Sequence, residues 1–246
     1  MPKGSRKHLK RLAAPGHWQI RRKEHPFTIR TSPGSHSLTE SIPLAVVVRD
    51  MLNLTTTFKE TRRVIARGAV KVDGIVRKNY KHPVGLMDVV EIPEIKVRYR
   101  MVPSSQHLLS IHSIPKGEVG VKLCKIVGKT TVVKGNVQLH LHDGRNVLVT
   151  VKDPKTKPEQ EYNSGDTLLI TIPKQGIQTR IPLKEGVTAI ITGGVHTGFV
   201  GVLEKIDTEI KLGTIKGADG TTFQTALRYV FAIGEDKSLI SLPEGS

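Results

Sequence analysis

The stretch TFKETRRVIARG, residues 57–68, marks both ends of a helix and so constrains the fold more than any other part of the sequence. Thr57 and Glu60 have the spacing of a capping box, in which each side chain satisfies a free N–H group of the first turn. Gly68 stands where a helix commonly ends in a left-handed residue. The stretch therefore predicts a short, well-delimited helix. IPLAVVVRDMLN at 42–53 repeats apolar residues at helical spacing and predicts another helix before it.

The helix at 57–68 has two chemically different sides. At 100° per residue, one side carries Phe58, Thr61, Val64 and Ile65, and the other carries Lys59, Arg62, Arg63 and Arg67. We expect the first side to pack on a core and the second to face solvent or a ligand.

A hairpin and a further strand follow this helix. AVKVDGIVRK, residues 69–78, alternates apolar and polar positions around Asp73-Gly74, which suits a two-residue type I′ turn. DVVEI at 88–92 predicts the closing strand.

After about residue 105 the signals change to short β segments. KLCKIVGKTTVVKG, NVQLHLHDGRNVLVTV, DTLLITIPKQGIQTRIPL and TIKGADGTTFQTALRYVFAIG are β runs divided by D-G, S-G and Q-G turns. Closely spaced strands of this kind predict small barrels or sandwiches. The C-terminal half is therefore predicted to be β-rich and poor in helices.

The charge of the chain indicates a polyanionic partner. Lys and Arg number 38 against 22 Asp and Glu, which gives a formal net charge of +16. Nucleic acid and anionic membranes are the main candidates, but no apolar run approaches the ~20 residues of a spanning helix. Aromatic residues make up only 4%, which favours recognition of shape and phosphates over stacking of single-stranded bases.

Half of the net charge lies in the N-terminal arm. Residues 1–30 contain nine Lys or Arg against one acid, Glu24, and show little apolar periodicity. We expect the arm to be poorly ordered alone and to order where phosphates neutralise it; a solubilising tail is the alternative. Its predicted RNA-binding residues are Lys3, Arg6, Lys7, Lys10, Arg11, Arg21, Arg22 and Lys23.

Residues 42–92 resemble the alpha-L RNA-binding module found in ribosomal proteins, pseudouridine synthases and some tRNA synthetases. The resemblance implies that the basic helix side and the hairpin bind structured RNA. A physical reason agrees, because the A-form major groove is too narrow to read and proteins contact phosphates and 2′-hydroxyls across a shaped surface. The candidate contacts are Lys59, Arg62, Arg63, Arg67, Lys71, Arg77, Lys78 and Lys81; the alternative is a solvated helix face.

The segment GVTAIITGGVHTGFVGVLEKI, residues 186–206, resembles the KOW motif, in which a Gly-rich loop between two strands contacts RNA or protein. Glycine serves there where the backbone turns at positive φ or approaches a partner closely. The candidate loop residues are Gly194, His196, Thr197, Gly198 and Gly201. The family often has Lys where this chain has Thr197, which weakens the case for a phosphate contact there. A Gly-rich hairpin in a small barrel is the alternative.

Other motifs do not support catalysis or cofactor binding. The GKT at 128–130 lacks the glycine that a phosphate-binding loop needs at 123, and no helix follows. His140 and His142 have no third ligand placed by sequence, so no metal site is predicted. Cys124, the single cysteine, is predicted to pack in the core. We predict a protein that is not an enzyme and needs no cofactor.

Taken together, GSRKHLKRLAAPGHW, the alpha-L unit, KLCKIVGK, TGGVHTGFVGV and SLPEG resemble the S4e family of small-subunit ribosomal proteins over essentially the whole chain. Eukaryotic members typically continue past the SLP segment with a basic tail, and this sequence stops at Ser246, so an archaeal-type member is expected. The resemblance implies a structural constituent of the small ribosomal subunit.

The predicted fold class is α+β and multidomain: a small alpha-L module followed by a β-rich central domain and an SH3-like KOW barrel. The predicted parts are a basic N-terminal arm at 1–41, the alpha-L module at 42–105, the central domain at 106–173 and the KOW-containing domain at 174–246. The expected partners are small-subunit ribosomal RNA and neighbouring ribosomal proteins, with no membrane and no small-molecule substrate, on cytoplasmic ribosomes. The alternatives are a KOW-type transcription elongation factor and an accessory RNA-modifying enzyme.

Overall fold

The structure is a computed structural model that describes residues 8–150 and 162–243. Its first helical segment begins with α1, Leu44–Val46, and continues as a π-helical turn at Val47–Met51. The main helix is α2, Phe58–Arg67. Short 3₁₀ turns lie at Arg11–Ala13, Pro93–Ile95, Lys116–Glu118, Val133–Gly135 and Leu227–Tyr229. Both predicted helices are confirmed, and the first of them ends in the π-helical turn, which is wider than an α-helical one.

The ends of α2 follow the local sequence signals. The Thr57 side chain accepts from the backbone N–H of Glu60 at 3.3 Å, and Gly68 ends the helix with a φ of 84°. The Glu60 carboxylate accepts from the N–H of Thr56 at 3.2 Å, one residue before the position that a capping box uses. The side chains of Thr57 and Glu60 thus both accept backbone N–H groups at the start of the helix.

The N-terminal half contains two small strand pairs and one five-stranded antiparallel sheet. The Asp73-Gly74 turn has φ values of 51° and 75°, as a type I′ turn requires. The pairs are β1, Leu9–Lys10, with β2, Phe27–Thr28, and β3, Ser41–Pro43, with β6, Pro83–Gly85. The sheet has the order β5-β4-β7-β8-β9 and is built from β4, Lys71–Val72, β5, Ile75–Val76, β7, Val89–Ile92, β8, Val97–Val102, and β9, Ser110–Ser113.

Two further five-stranded antiparallel sheets make up the C-terminal half. The central sheet has the order β12-β11-β10-β13-β14, from β10, Val121–Thr131, β11, Val137–Leu141, β12, Asn146–Val149, β13, Thr167–Thr171, and β14, Ile177–Ile181. The last sheet has the order β18-β17-β16-β15-β19, from β15, Thr188–Ile191, β16, Val200–Asp207, β17, Leu212–Lys216, β18, Thr222–Ala226, and β19, Val230–Gly234. The described chain is thus β-rich with few helices, as predicted for this half. The domain limits at 41, 105 and 173 stay a prediction.

Apolar contacts tie these layers together. One core joins α1 and α2 to the first sheet, and the other two sheets each have their own core. A further buried cluster includes Met87, Leu123, Ile181 and Phe231, which come from all three parts of the chain. In the described part of the chain, no helix combines the length and apolar character that crossing a bilayer requires.

The arm packs on the first core instead of lying free. Trp18 is 2% exposed, and its indole N–H donates to the Ser41 carbonyl at 2.8 Å. Ala14 is buried, and Leu9 and Ile20 are partly buried against the same core. The expectation of poor order without RNA is therefore wrong for residues 8–41, because apolar residues at irregular spacing anchor them where periodicity gave no sign.

Candidate nucleic-acid interface

The basic side of α2 lies as the sequence predicts, and the apolar side does so except at Phe58, which is 36% exposed. Thr61 and Ile65 are fully buried, and Val64 is half-buried. The basic residues of the other side are all exposed: Lys59, Arg62, Arg63 and Arg67. Contact of these four residues with RNA remains a prediction, but their charged groups face solvent and are not buried inside the protein.

Tyr80 organises one end of this basic side and was missed by the sequence reasoning. The Arg62 guanidinium carbon lies 5.6 Å from the centre of the Tyr80 ring, and the Lys81 Nζ lies 5.7 Å from it. Phe58 meets the same ring edge-on at 5.4 Å between centroids. Cation–π contacts of this kind fix the positions of two otherwise flexible side chains. The only sequence signal was an aromatic residue among the basic ones in RKNYKH.

The hairpin residues are placed differently from one another. Lys78 is exposed, and its side chain runs beside the end of α2 near Gly68. Lys71 and Arg77 are half-buried. The turn itself faces inward, because Asp73 is 3% exposed and forms part of an internal ion cluster.

The basic residues of the arm fall into two groups. Lys10, Arg21 and Lys23 are exposed and remain candidates for RNA contact. Arg11 is 4% exposed and pairs with Glu24 at 3.3 Å, while Arg22 donates to the carbonyls of Ala14 and Pro15, both at 2.8 Å. Their guanidinium groups therefore hold the arm together. Lys3, Arg6 and Lys7 lie outside the described residues.

The glycines of the candidate KOW loop serve the internal packing of the last sheet. Gly194 and Gly198 have φ values of 94° and 86°. A methyl group on Gly198 would lie 2.5 Å from the carbonyl carbon of Ser104. Gly201 is buried beside the Lys216 carbonyl, where a side chain would not fit. Positive φ thus explains Gly194, and close backbone approach explains Gly198 and Gly201 within the chain.

The two polar residues of this loop lie at its surface. The Thr197 hydroxyl donates to the Gly194 carbonyl at 2.7 Å, which closes the loop. His196 stacks on Phe223 with 3.9 Å between ring centroids and 22° between planes. Contact of either residue with RNA or protein remains a prediction.

A buried charge cluster joins the hairpin to the central sheet. It consists of Lys122, Asp73, Asp88, Asp143 and Arg145, together with His36. Lys122 is 0% exposed, and its Nζ lies 2.9 Å from Asp73 Oδ2, 2.5 Å from Asp88 Oδ1 and 2.9 Å from Asp143 Oδ2. Arg145 adds contacts to Asp73 at 2.5 Å and to Asp143 at 3.2 Å.

The cluster holds Lys122 and Asp88 in their charged forms. Burial alone would lower the pKa of Lys122, but Asp88 and Asp73 hold that pKa well above its usual value. Burial alone would raise the pKa of Asp88, but Lys122 and the adjacent His36, 3.1 Å away, lower it strongly. Asp88 thus neutralises a cation that the interior would otherwise exclude, whereas burial, assisted by Asp88, raises the pKa of Asp73.

A second junction joins the central sheet to the last sheet. The Lys125 ammonium donates to the carbonyls of Leu227, Arg228 and Val230 at 3.0, 3.1 and 2.6 Å, and burial lowers the pKa of Lys125 to about 8. The backbone N–H of Lys125 in turn donates to His142 Nδ1 at 3.2 Å.

His142 is held in its neutral form. Because Nδ1 accepts from Lys125, the ring proton sits on Nε2, which donates to the Leu86 carbonyl at 3.2 Å. Burial, assisted by Lys122, lowers the pKa of His142 to about 4.

The candidates for other chemistry do not form a site. Among the described residues, Cys124, His142 and Asp143 place possible metal ligands within 4.8 Å of one another. The Lys122 ammonium already lies 2.9 Å from Asp143 Oδ2, and both His142 nitrogens are used, so a cation would have to displace these contacts. His140 bonds instead to Thr130 and Asn146. The GKT segment lies within β10 and not before a helix.

A basic, β-rich chain with an exposed cationic helix side belongs to the class of candidate RNA-binding proteins. The model of ribosomal family S4e matches residues 95–177, and that of the RS4NT domain matches residues 3–39. Small ribosomal subunit protein eS4 of Desulfurococcus amylolyticus is 45% identical, over 99% of this chain and 98% of its own length. The protein of the same name from Staphylothermus marinus is 47% identical, also over 99% and 98%. The chain belongs to ribosomal family S4e.

A solved structure supports the same membership. The crystal structure of the 30S ribosomal protein S4e from Thermoplasma acidophilum aligns with a TM-score of 0.67 and 32% identity. The match covers 81% of this chain and 97% of that one. The family resemblance is therefore confirmed at the level of sequence and of fold, and the two relatives above are archaeal, as expected.

Proposed function

We propose that this chain is a structural constituent of the small ribosomal subunit that binds ribosomal RNA through the basic side of α2 and the basic arm. The observation that carries the proposal is the division of α2 into a buried side and a side with four exposed cations. Membership of a family whose relatives are named as small ribosomal subunit proteins supports the identity of the RNA. A role on cytoplasmic ribosomes, in contact with neighbouring ribosomal proteins, follows from the same membership.

The physical basis is the match between a shaped cationic surface and an A-form backbone. Affinity for RNA arises largely from Lys and Arg that neutralise phosphates. Because Tyr80 holds Arg62 and Lys81, part of this charge is fixed before binding and loses less entropy when RNA binds.

We also propose that residues 42–105 act as an alpha-L module and that the last sheet is an SH3-like KOW domain. The order of helix, hairpin and strand from Phe58 to Ile92 supports the first assignment. The antiparallel meander of the last sheet, with its Gly-rich loop between β15 and β16, supports the second. The role is structural and not catalytic, as befits a ribosomal protein family. No observation favours an elongation factor or an RNA-modifying enzyme.

Charge reversal on α2 tests the proposal. The double variant Arg63→Glu and Arg67→Glu is expected to weaken binding to small-subunit ribosomal RNA at least tenfold at ~0.1 M salt, since two phosphate contacts each contribute about 0.7–0.9 to the salt slope of log K. Filter binding of the full chain over a series of salt concentrations measures both affinity and slope. Circular dichroism should show an unchanged fold, because both residues are exposed. Unchanged affinity and slope would contradict the proposed RNA surface.

A further inference from the structure

We infer that the basic side of α2 continues into a groove between the arm loop at residues 30–38 and Lys81, and that this groove binds a backbone phosphate of ribosomal RNA. The inference rests on the proposed function and adds a second contact site to it. The groove has a volume of about 720 Å³ and is lined by residues 30–38 and Lys81. Of these, only Lys81 belongs to the contacts that the sequence predicted.

The chemistry of the lining suits an oxyanion. Arg30 and Lys81 supply positive charge, and among the described residues that line the groove none is acidic. His36 also lines it, but its Nε2 faces Asp88 at 3.1 Å and so belongs to the interior. Four lining residues carry hydroxyl groups; those of Ser32 and Ser37 donate to the Lys81 carbonyl and the Glu40 carboxylate, which leaves Thr31 and Ser35 as hydroxyl donors for a ligand. Hydroxyls, Lys and Arg are the groups that most often contact phosphate oxygens in protein–nucleic acid complexes.

The walls of the groove are fixed to each other. The backbone N–H and the hydroxyl of Ser32 both donate to the Lys81 carbonyl, at 2.8 and 3.1 Å. The Asn79 side chain donates to the Ser32 hydroxyl at 3.3 Å and accepts from the Lys81 N–H at 3.0 Å. A methyl group on Gly34 would lie 2.8 Å from Pro83, so the loop lies tightly against the strand β6. A groove held in this way is preorganised, which lowers the cost of binding.

Tyr80 connects the groove to α2. Its ring holds Lys81 on the groove side and Arg62 on the helix side, with the two charges at most about 11 Å apart. One RNA strand can therefore lie along both without a gap in the basic surface. Tyr80 acts as a positioning residue, since it reaches the RNA only through these cations.

Two matched pairs of variants test the groove in the full chain. Thr31→Glu places a carboxylate in the groove, and Thr31→Gln places an uncharged group of the same size there. Thr31→Glu is expected to bind small-subunit ribosomal RNA about five- to eightfold more weakly than Thr31→Gln at ~0.1 M salt, the effect of one phosphate contact. Lys81→Gln is expected to reduce the salt slope of log K by about 0.7–0.9. The same change at Lys116, which is exposed in the 3₁₀ turn at Lys116–Glu118, is the control and should leave the slope unchanged.

The outcomes separate this inference from the function on which it rests. Equal binding by Thr31→Glu and Thr31→Gln, or equal slopes for Lys81→Gln and Lys116→Gln, would overturn the groove as an RNA site. This includes the case in which the groove accepts an acidic peptide of a neighbouring protein. If the α2 double variant still loses affinity in that case, the proposed function stands without the groove. If neither region affects binding, both fail. Circular dichroism of each variant confirms that the fold is intact.

Discussion

The basic side of α2 and the buried charge cluster around Lys122 use similar side chains in opposite environments. On α2, four cations face water, so folding removes little of their hydration and costs little free energy. Lys122 is fully buried, and it requires three carboxylates within 3 Å to remain charged. The comparison shows that the chain separates its cations by environment: the exposed ones on α2 remain available to the proposed RNA ligand, and the buried one holds parts of the protein together.

The largest effect should come from removing the buried cation. Lys122→Met leaves three carboxylates beside Arg145 and His36 without their central ammonium group, and we expect a loss of about 3–5 kcal/mol in the free energy of unfolding. Chemical denaturation measures this loss directly. The matched variant Arg63→Met, on the exposed side of α2, should change stability by no more than about 0.5 kcal/mol. Comparable losses in the two variants would remove the distinction between the regions.

A medium effect should appear when the pH is lowered. His142 has a folded-state pKa of about 4, below its ordinary value of 6.5, so the unfolded chain takes up the proton first as the pH falls. Neutral His142 therefore makes its full contribution to the free energy of unfolding above about pH 6.5. That contribution is lost as the pH falls toward 4, at about 1.4 kcal/mol per pH unit.

Denaturation curves at several pH values for the wild type and for His142→Gln test this expectation. The variant should show a shallower fall in stability over the same window. The variant Arg63→Met, on the exposed side of α2, is the control and should follow the wild-type profile. An identical pH profile for His142→Gln would exclude the assigned role of the imidazole.

The smallest effect should follow from removing the cap of α2. Thr57→Ala loses the hydrogen bond to the Glu60 N–H and should reduce the free energy of unfolding by about 1 kcal/mol. Thermal denaturation against Thr208→Ala, an exposed threonine remote from α2 in sequence, gives the comparison. If Thr57→Ala lowers the free energy of unfolding by no more than the control does, the helix start depends on packing alone.

Local features of the fold could be predicted from sequence because their causes lie within a few residues. Thr57, Glu60 and Gly68 delimit α2, and the two-residue turn at Asp73-Gly74 sets the hairpin. The division of α2 into two sides follows from helical periodicity alone. The family membership was also accessible, since its motifs run along the whole chain.

The remaining features depend on contacts between distant residues. Asp73 served as a turn residue in the sequence reasoning, yet its carboxylate binds Lys122, 49 positions away. Arg11 and Arg22 look like any other basic residues of the arm, although their guanidinium groups bond inside the protein. The contacts of Tyr80 and the groove at residues 30–38 likewise form only when the arm packs against the hairpin.

The junctions at Lys122 and Lys125 have a consequence for assembly. They join the first, central and last sheets through ion pairs and carbonyl contacts, so surfaces far apart in sequence are carried at set separations. For a ligand with several contact points, the first contact then raises the effective concentration of all the others, a gain from multivalency that flexibly linked parts would partly lose. For the proposed RNA ligand, buried Lys122 and half-buried Lys125 thereby set how cooperatively the separate surfaces of the protein can act.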